Sequence, residues 1–297
     1  MNPSSIERFP YAVDTLDLLD PLTQAALSEH LEPGEAIKRI IVAPPKEMFG
    51  IPREWRQRLD VQPALSRVTS WALVLTEQHL LIVTISRSDV RPPVVAIPIA
   101  KLLWVEVGAI LLFSWFECAW VSQDRVQRIR VFFNTVGEEY FQQLRVLLCR
   151  TAIEQDGLAM ISGDRNLTEL NSLSYKFVNM ISIRMLLPDE HIERLVSHPP
   201  IWQKHLMVFK RRRAPSTVVI LTNYHLLVGN EDPSHHHATY GWITRYCPRR
   251  RVRKVSLQTE TSGITLYVTV GLDNVEETFS ILFPAEMVPS LAGWASA

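Results

Sequence analysis

A seven-residue block returns almost unchanged in the second half of the chain. Leu75-Thr76-Glu77-Gln78-His79-Leu80-Leu81 is answered by Leu221-Thr222-Asn223-Tyr224-His225-Leu226-Leu227, five of seven positions identical, at an offset of 221 − 75 = 146. Upstream, Leu31-Glu32-Pro33-Gly34-Glu35-Ala36-Ile37 is matched by Leu186-Leu187-Pro188-Asp189-Glu190-His191-Ile192, and Pro44-Pro45 by Pro199-Pro200, at 186 − 31 = 155. Downstream, Ile97-Pro98 corresponds to Cys247-Pro248, and Val105 and Val107 to Val255 and Leu257, at 247 − 97 = 150. Tyr140, Phe141, Leu144, Leu147 and Leu148 match Met287, Val288, Leu291, Trp294 and Ala295 at 287 − 140 = 147, with the spacing of one apolar helix face. Blocks that keep their order while the offset drifts are what duplication followed by loop insertion produces. The 297 residues are therefore two diverged copies of one module.

Between turn signals, the segments of each copy are short and rich in Val, Ile, Leu and Trp, so strands are predicted. In the second copy they cover residues 191–201, 216–222, 225–228, 251–258, 264–270 and 276–283, with turns at Thr222-Asn223-Tyr224 and Ser262-Gly263. Residues 102–121 are apolar enough to resemble a membrane span, but Glu106 and Glu117 lie inside them and would be costly in hydrocarbon. The corresponding residues 253–271 carry Lys254, Gln258, Glu260 and Ser262, so this stretch reads as two buried strands broken at Gly108. A helix is expected before each copy: Asp20-Pro21 supplies an N-cap and an N1 proline for residues 22–31, and Leu170, Leu173, Phe177, Met180 and Ile181 form an apolar stripe. Gly157, Ser162, Gly163 and Asp164 mark a linker. The predicted organisation is an N-terminal segment with one helix (1–30), a first domain (31–150), a linker and helix (151–184) and a second domain (185–297). The fold class is mainly β, with six to seven antiparallel strands per copy.

The 31 Lys and Arg balance 31 Asp and Glu, which excludes an overall electrostatic bias toward nucleic acid or anionic membranes; any such bias is local. Cys118, Cys149 and Cys247 are too few and too scattered for a disulfide scaffold or a paired-ligand zinc site. They fit a reducing, cytoplasmic compartment, and residues 1–11 lack the apolar core of a secretory signal. No G-x-S-x-G, H-E-x-x-H, Walker A or G-x-G-x-x-G occurs, so neither catalysis nor a cofactor is expected.

The order of Pro-Gly-Glu turn, Leu-Thr-x-x-His-Leu-Leu hairpin, Ile-Pro, strands and terminal helix, found twice, resembles the bacterial PH-like and GRAM-like domains. Those domains tend to open on Pro-Gly-Glu, here Pro33-Gly34-Glu35. They also carry a Leu-Thr-Asn-x-Arg-Leu hairpin, here Leu221-Thr222-Asn223-Tyr224-His225-Leu226 with His in the Arg position. The resemblance covers residues 31–150 and 185–297. It implies two tandem barrels, each of two nearly orthogonal antiparallel sheets closed by a C-terminal helix, and a lipid, peptide or protein as ligand. It carries no catalytic residues, and fold-level likeness does not choose among ligands.

Four groups of residues are candidate sites. Lys210, Arg211, Arg212 and Arg213 are consecutive, and Arg249, Arg250, Arg251, Arg253 and Lys254 place five bases in six positions, where the first copy has little beyond Arg67 and Lys101. In PH-like strand order these clusters are expected to converge on one open rim and bind an anionic surface, such as a phospholipid headgroup or an acidic protein segment. The competing reading of such runs is a solvated face. Met48, Phe49 and Ile51, with Trp55, form an apolar loop tip flanked by Lys46 and Arg53 that is suited to a membrane interface or to folding back over the core. His235-His236-His237 is read as a solvated loop rather than a metal site, since adjacent histidines rarely close a coordination shell. His79 and His225 are expected to bond to backbone near their turns. The partner is thus a protein or an anionic membrane surface, the latter with the chain peripheral at the inner face, and nucleic acid is disfavoured. The alternative function is a structural scaffold that binds a protein through an apolar groove or a sheet edge.

Overall fold

The computed structural model describes residues 9–44, 70–85, 91–110, 112–158, 168–205, 209–231, 241–260 and 263–294. It is mainly β and divides into two compact units. The first comprises residues 1–102, 109–117 and 129–158, and the second residues 103–108, 118–128 and 159–297. One division between them comes after residue 158. The assignment of parts of the first copy to the second unit was not expected.

In the first unit, β1 (Tyr11–Val13) precedes α1 (Pro21–Ser28), whose first turn is capped by the Asp20 carboxylate accepting from the Thr23 N–H at 3.0 Å. The strands β2 (Ile37–Ala43), β3 (Ser70–Thr76), β4 (His79–Ile85) and β5 (Val94–Pro98) follow, giving an antiparallel sheet in the order β1-β2-β3-β4-β5. Ile40, Val42, Ala72, Val74, Leu81 and Val83 line one face and pack with Leu19 and Leu27 of the N-terminal segment. The alternate residues Ile41, Leu73, Leu75, Leu80 and Ile82 are equally buried. The sheet is covered on both faces, which is why its strands read as unbroken apolar runs.

A meander follows, made of β6 (Leu102–Ile110), β7 (Phe113–Ser122) and β8 (Arg125–Asn134), and the chain then enters α2 (Glu138–Gln155). Residues 102–121 thus form two strands. The break is not at Gly108, which lies within β6, but between Ile110 and Phe113. Glu117 is buried and accepts from Arg130 Nε at 2.8 Å, so its charge is matched. Phe141 of α2 stacks on Phe133 of β8, their ring centroids 3.7 Å apart. Before α2, a Cβ on Gly137 would lie 2.4 Å from the Cβ and Cγ of Pro10, a rigid ring. The Gly137 backbone is not strained, so Gly137→Ala should cost about 1–3 kcal/mol through overpacking alone, read as a lower urea midpoint.

In the second unit, α3 (Tyr175–Asn179) continues into a π-helical turn over Met180–Met185. Next come β9 (Ile192–His198), a two-stranded hairpin of β10 (Ile201–His205) and β11 (Phe209–Ala214), then β12 (Thr217–Thr222), β13 (His225–Glu231) and β14 (Gly241–Pro248). The meander β15 (Val252–Glu260), β16 (Gly263–Leu272) and β17 (Val275–Phe283) ends the sheets, and α4 (Val288–Leu291) closes the described chain. Gly229 of β13 leaves room for the π-helical turn: a Cβ there would stand 2.6 Å from Met180 Cε and 3.0 Å from Met185 Sδ.

The strand boundaries repeat at the offsets of the sequence blocks. β2 and β9 differ by 192 − 37 = 155, β4 and β13 by 225 − 79 = 146, β6 and β15 by 252 − 102 = 150, and β7 and β16 by 263 − 113 = 150. Two expectations need correction. The sheets are antiparallel and open rather than closed barrels. A closed barrel would pair the outer strands of its own two sheets, whereas β6 pairs with β14 in one seven-stranded sheet, β8-β7-β6-β14-β13-β12-β9. The terminal helices are also unequal, since α2 runs 18 residues and α4 only 4, flanked by 3-10 turns.

Candidate functional site

The basic clusters do not share a rim. The β10–β11 hairpin that carries Lys210–Arg213 leaves the sheet where Thr217 pairs with His198, at the start of β12. Arg249, by contrast, follows Pro248, which pairs with His225 at the other end of β12 and β13, and its N–H donates to Tyr224 O at 2.8 Å. The clusters are therefore rooted at opposite ends of one sheet. Within the second cluster, Arg249 is paired with Glu193 at 2.6 Å and Arg251 is buried. Burial, and then the charge of Arg251, hold Arg250 below the ordinary arginine value. Burial, and then Arg253, do the same for Arg251. Arg212 is buried and Arg213, Arg253 and Lys254 are exposed. Met48, Phe49, Ile51, Trp55 and His235-His236-His237 lie outside the described residues. Among the described residues no three His, Cys, Asp or Glu side chains gather as a metal site.

The hairpin histidines meet a carboxylate rather than backbone carbonyls. In the second unit Glu190 accepts from the Thr222 hydroxyl, from His225 Nδ1 at 2.9 Å and from the Leu187 N–H at 2.9 Å, while the His225 N–H donates to Thr222 Oγ1 at 2.9 Å. The first unit repeats this clasp with Glu35, Thr76 and His79, more loosely: His79 Nδ1 stands 3.5 Å from Glu35, and its side chain is 23% exposed against 1% for His225. All three residues fall inside the repeated blocks, so the signal was present in the sequence. It lay in the Glu of the Pro-Gly-Glu turn, which was read only as part of a turn. This clasp fixes the hairpin and is structural.

The β6–β14 pairing is braced by a second group of polar contacts. Arg245 of β14 donates to Glu106 of β6 through Nε at 3.1 Å and a terminal nitrogen at 2.7 Å, while its guanidinium carbon stands 4.3 Å from the centre of the Trp104 ring. Trp104 Nε1 donates to Glu277 at 3.2 Å, and Arg128 donates to the same carboxylate at 2.7 Å. The Thr244 hydroxyl donates to Val107 O at 3.4 Å. Leu103, Trp104, Ala119 and Val121 share one core with Val196, Val219, Leu226, Val268 and Phe283. Sequence reasoning missed this, although β6 carries an apolar run that β15, with Arg253, Lys254 and Glu260, does not.

The counterparts of these two strands are β5 and β15, and among the described residues each has a neighbour on one side only. The exposed side of β5 can be specified. Thr84 N–H donates to Pro93 O at 3.1 Å and Ile99 N–H to Gln78 O at 2.9 Å. Hydrogen-bonded pairs alternate along an antiparallel ladder, so Ile82–Val95 and Leu80–Ile97 are the intervening bonded pairs. The N–H and C=O groups of Val94 and Ala96 consequently point away from β4. Their counterparts at 244 − 94 = 150 are Thr244 and Tyr246, whose backbone by the same alternation points to β6. No protein-family model, curated protein or solved structure matches this chain.

Proposed function

We propose that this chain is a tandem PH-like, GRAM-like module without catalytic activity, acting as a scaffold that a protein partner joins by adding a strand to an open sheet edge. The observation that carries this reading is the β6–β14 pairing, because edge addition is already how the chain connects one repeat to the next. The matched element order supports the PH-like part: among the described residues seven strands and a terminal helix recur in both copies, the second adding the β10–β11 hairpin, with Pro33-Gly34-Glu35 in the first copy and the Leu-Thr-x-x-His-Leu hairpin in both. An anion-binding rim has less support, since its two clusters are rooted at opposite ends of the sheet. Cys118, Cys149 and Cys247 are buried and form no disulfide among the described residues, which favours a reducing, cytoplasmic setting, and among the described residues no helix is long and apolar enough to cross a membrane.

The edge variant Ala96→Pro tests the proposal. Its N–H faces away from β4, so proline removes a donor from the open edge without removing a ladder bond. With parent and variant as baits in native extract, a protein retained by the parent at high salt and lost by Ala96→Pro is the expected result. Equal retention by the two baits, or release of every retained protein when salt is raised, would reject edge addition; the second outcome would favour an anionic partner.

A further inference from the structure

We infer that the partner of the open β5 edge is the β15 edge of a second copy of this chain. This rests on the scaffold reading and deepens it. Within the second unit, a β6-type strand pairs with a β14-type strand. Duplication makes β15 the second β6-type strand, from 252 − 102 = 150, and β5 the second β14-type strand, from 248 − 98 = 150. Each chain thus pairs one edge of each type internally and leaves one of each type without a second neighbour among the described residues. β5 and β15 are complementary by descent rather than self-complementary, so the contact is head-to-tail.

The two edges are chemically compatible. Val95 stands where the internal junction has Arg245, and Ser256 where it has Glu106, so joining them opposes no like charges. Val94 and Val95 are half-exposed apolar residues on a strand that would become internal. On β15, exposed Arg253 and Lys254 guard one end of the edge, which limits unspecific pairing. A head-to-tail contact is not saturated by one partner. Copies add until a ring closes, or continue into a filament if the rotation does not close.

The test is sedimentation velocity of the full chain over a wide concentration range, with three variants. The parent should shift to larger species as concentration rises, and Ala96→Pro should remain monomeric. Val95→Glu with Ser256→Glu opposes two carboxylates at the junction and should also remain monomeric. Val95→Arg with Ser256→Glu rebuilds the Arg245–Glu106 pair between chains and should associate about two- to fivefold more tightly than the parent. This last variant keeps the proposal testable if proline disturbs folding. A parent that is monomeric throughout, or charge variants that associate as the parent does, would overturn the inference. If Ala96→Pro still releases a different protein from the parent's catch in extract, only the identity of the partner is wrong. If that release is absent too, the scaffold reading falls with it.

Discussion

Trp104→Ala should destabilise the second unit by about 3–5 kcal/mol, even though Trp104 belongs to the first repeat in sequence. The ring is buried in the core that includes Val219, Leu226 and Val268, and Arg245 and Arg128 lie over it with their guanidinium carbons 4.3 and 5.7 Å from its centre. Truncation leaves a cavity, removes the cation–π contacts and deprives Glu277 of the indole N–H. Trp104→Phe keeps the aromatic face and loses one hydrogen bond, so about 1–2 kcal/mol is expected. Hydrogen exchange would locate the effect: protection should fall along β13, β14 and β16. A loss confined to β7 and β8 would mean the repeats are energetically separate. For the same reason a fragment of residues 185–297 should not fold stably, because Leu103, Trp104, Ala119 and Val121 would be missing from its core.

Glu190→Ala should be as damaging, about 3–5 kcal/mol, because it leaves the Thr222 hydroxyl, His225 Nδ1 and the Leu187 N–H without their common acceptor in a dry site. Glu35→Ala in the looser clasp should cost about 1–2 kcal/mol, since water reaches His79. Urea unfolding of the two variants separates these values, and equal losses would contradict the burial argument. A pH dependence follows. Burial raises the Glu190 carboxyl, but the charge and Nδ1–H of His225, the Leu187 N–H and the Thr222 hydroxyl outweigh it and hold the group below the usual carboxylate range. On acidification the unfolded chain binds this proton first. The stabilisation is therefore complete above the ordinary carboxylate value and is lost as pH falls through the depressed one. Glu190→Gln should flatten that acid limb of the stability curve.

Much of the fold was legible because the matched blocks show several local signals twice. The hairpin turn at Asn223-Tyr224, the Asp20 cap and the two strands in residues 102–121 all follow from local chemistry. Two segments were misjudged for local reasons. β14 mixes Trp242, Thr244, Arg245 and Tyr246 and looks like neither an apolar run nor a clean alternation, while β10 and β11 are polar enough to pass for a loop. Gly108 has the composition of a turn residue yet sits inside β6, where pairing on both sides overrides propensity. The β6–β14 junction was hidden for a different reason. Pairing between residues as distant as Glu106 and Arg245 leaves no periodic trace, only the unequal hydrophobicity of two strands that should have matched. The basic clusters misled because their separation along the chain says nothing about which end of a strand each occupies.

The junction also sets a schedule for synthesis. Trp104 leaves the ribosome 245 − 104 = 141 residues ahead of Arg245, which at roughly 5–20 residues per second is a wait of about 7–28 s. Throughout that interval the apolar edge of β6 is made but β14 does not yet exist. On a ribosome-crowded message, the β6 edge of one nascent chain can meet a β14 strand just completed on its neighbour. The same pairing that joins the repeats within one chain would then join two chains by exchange, so a single Glu106–Arg245 contact governs both correct maturation and the route by which it fails.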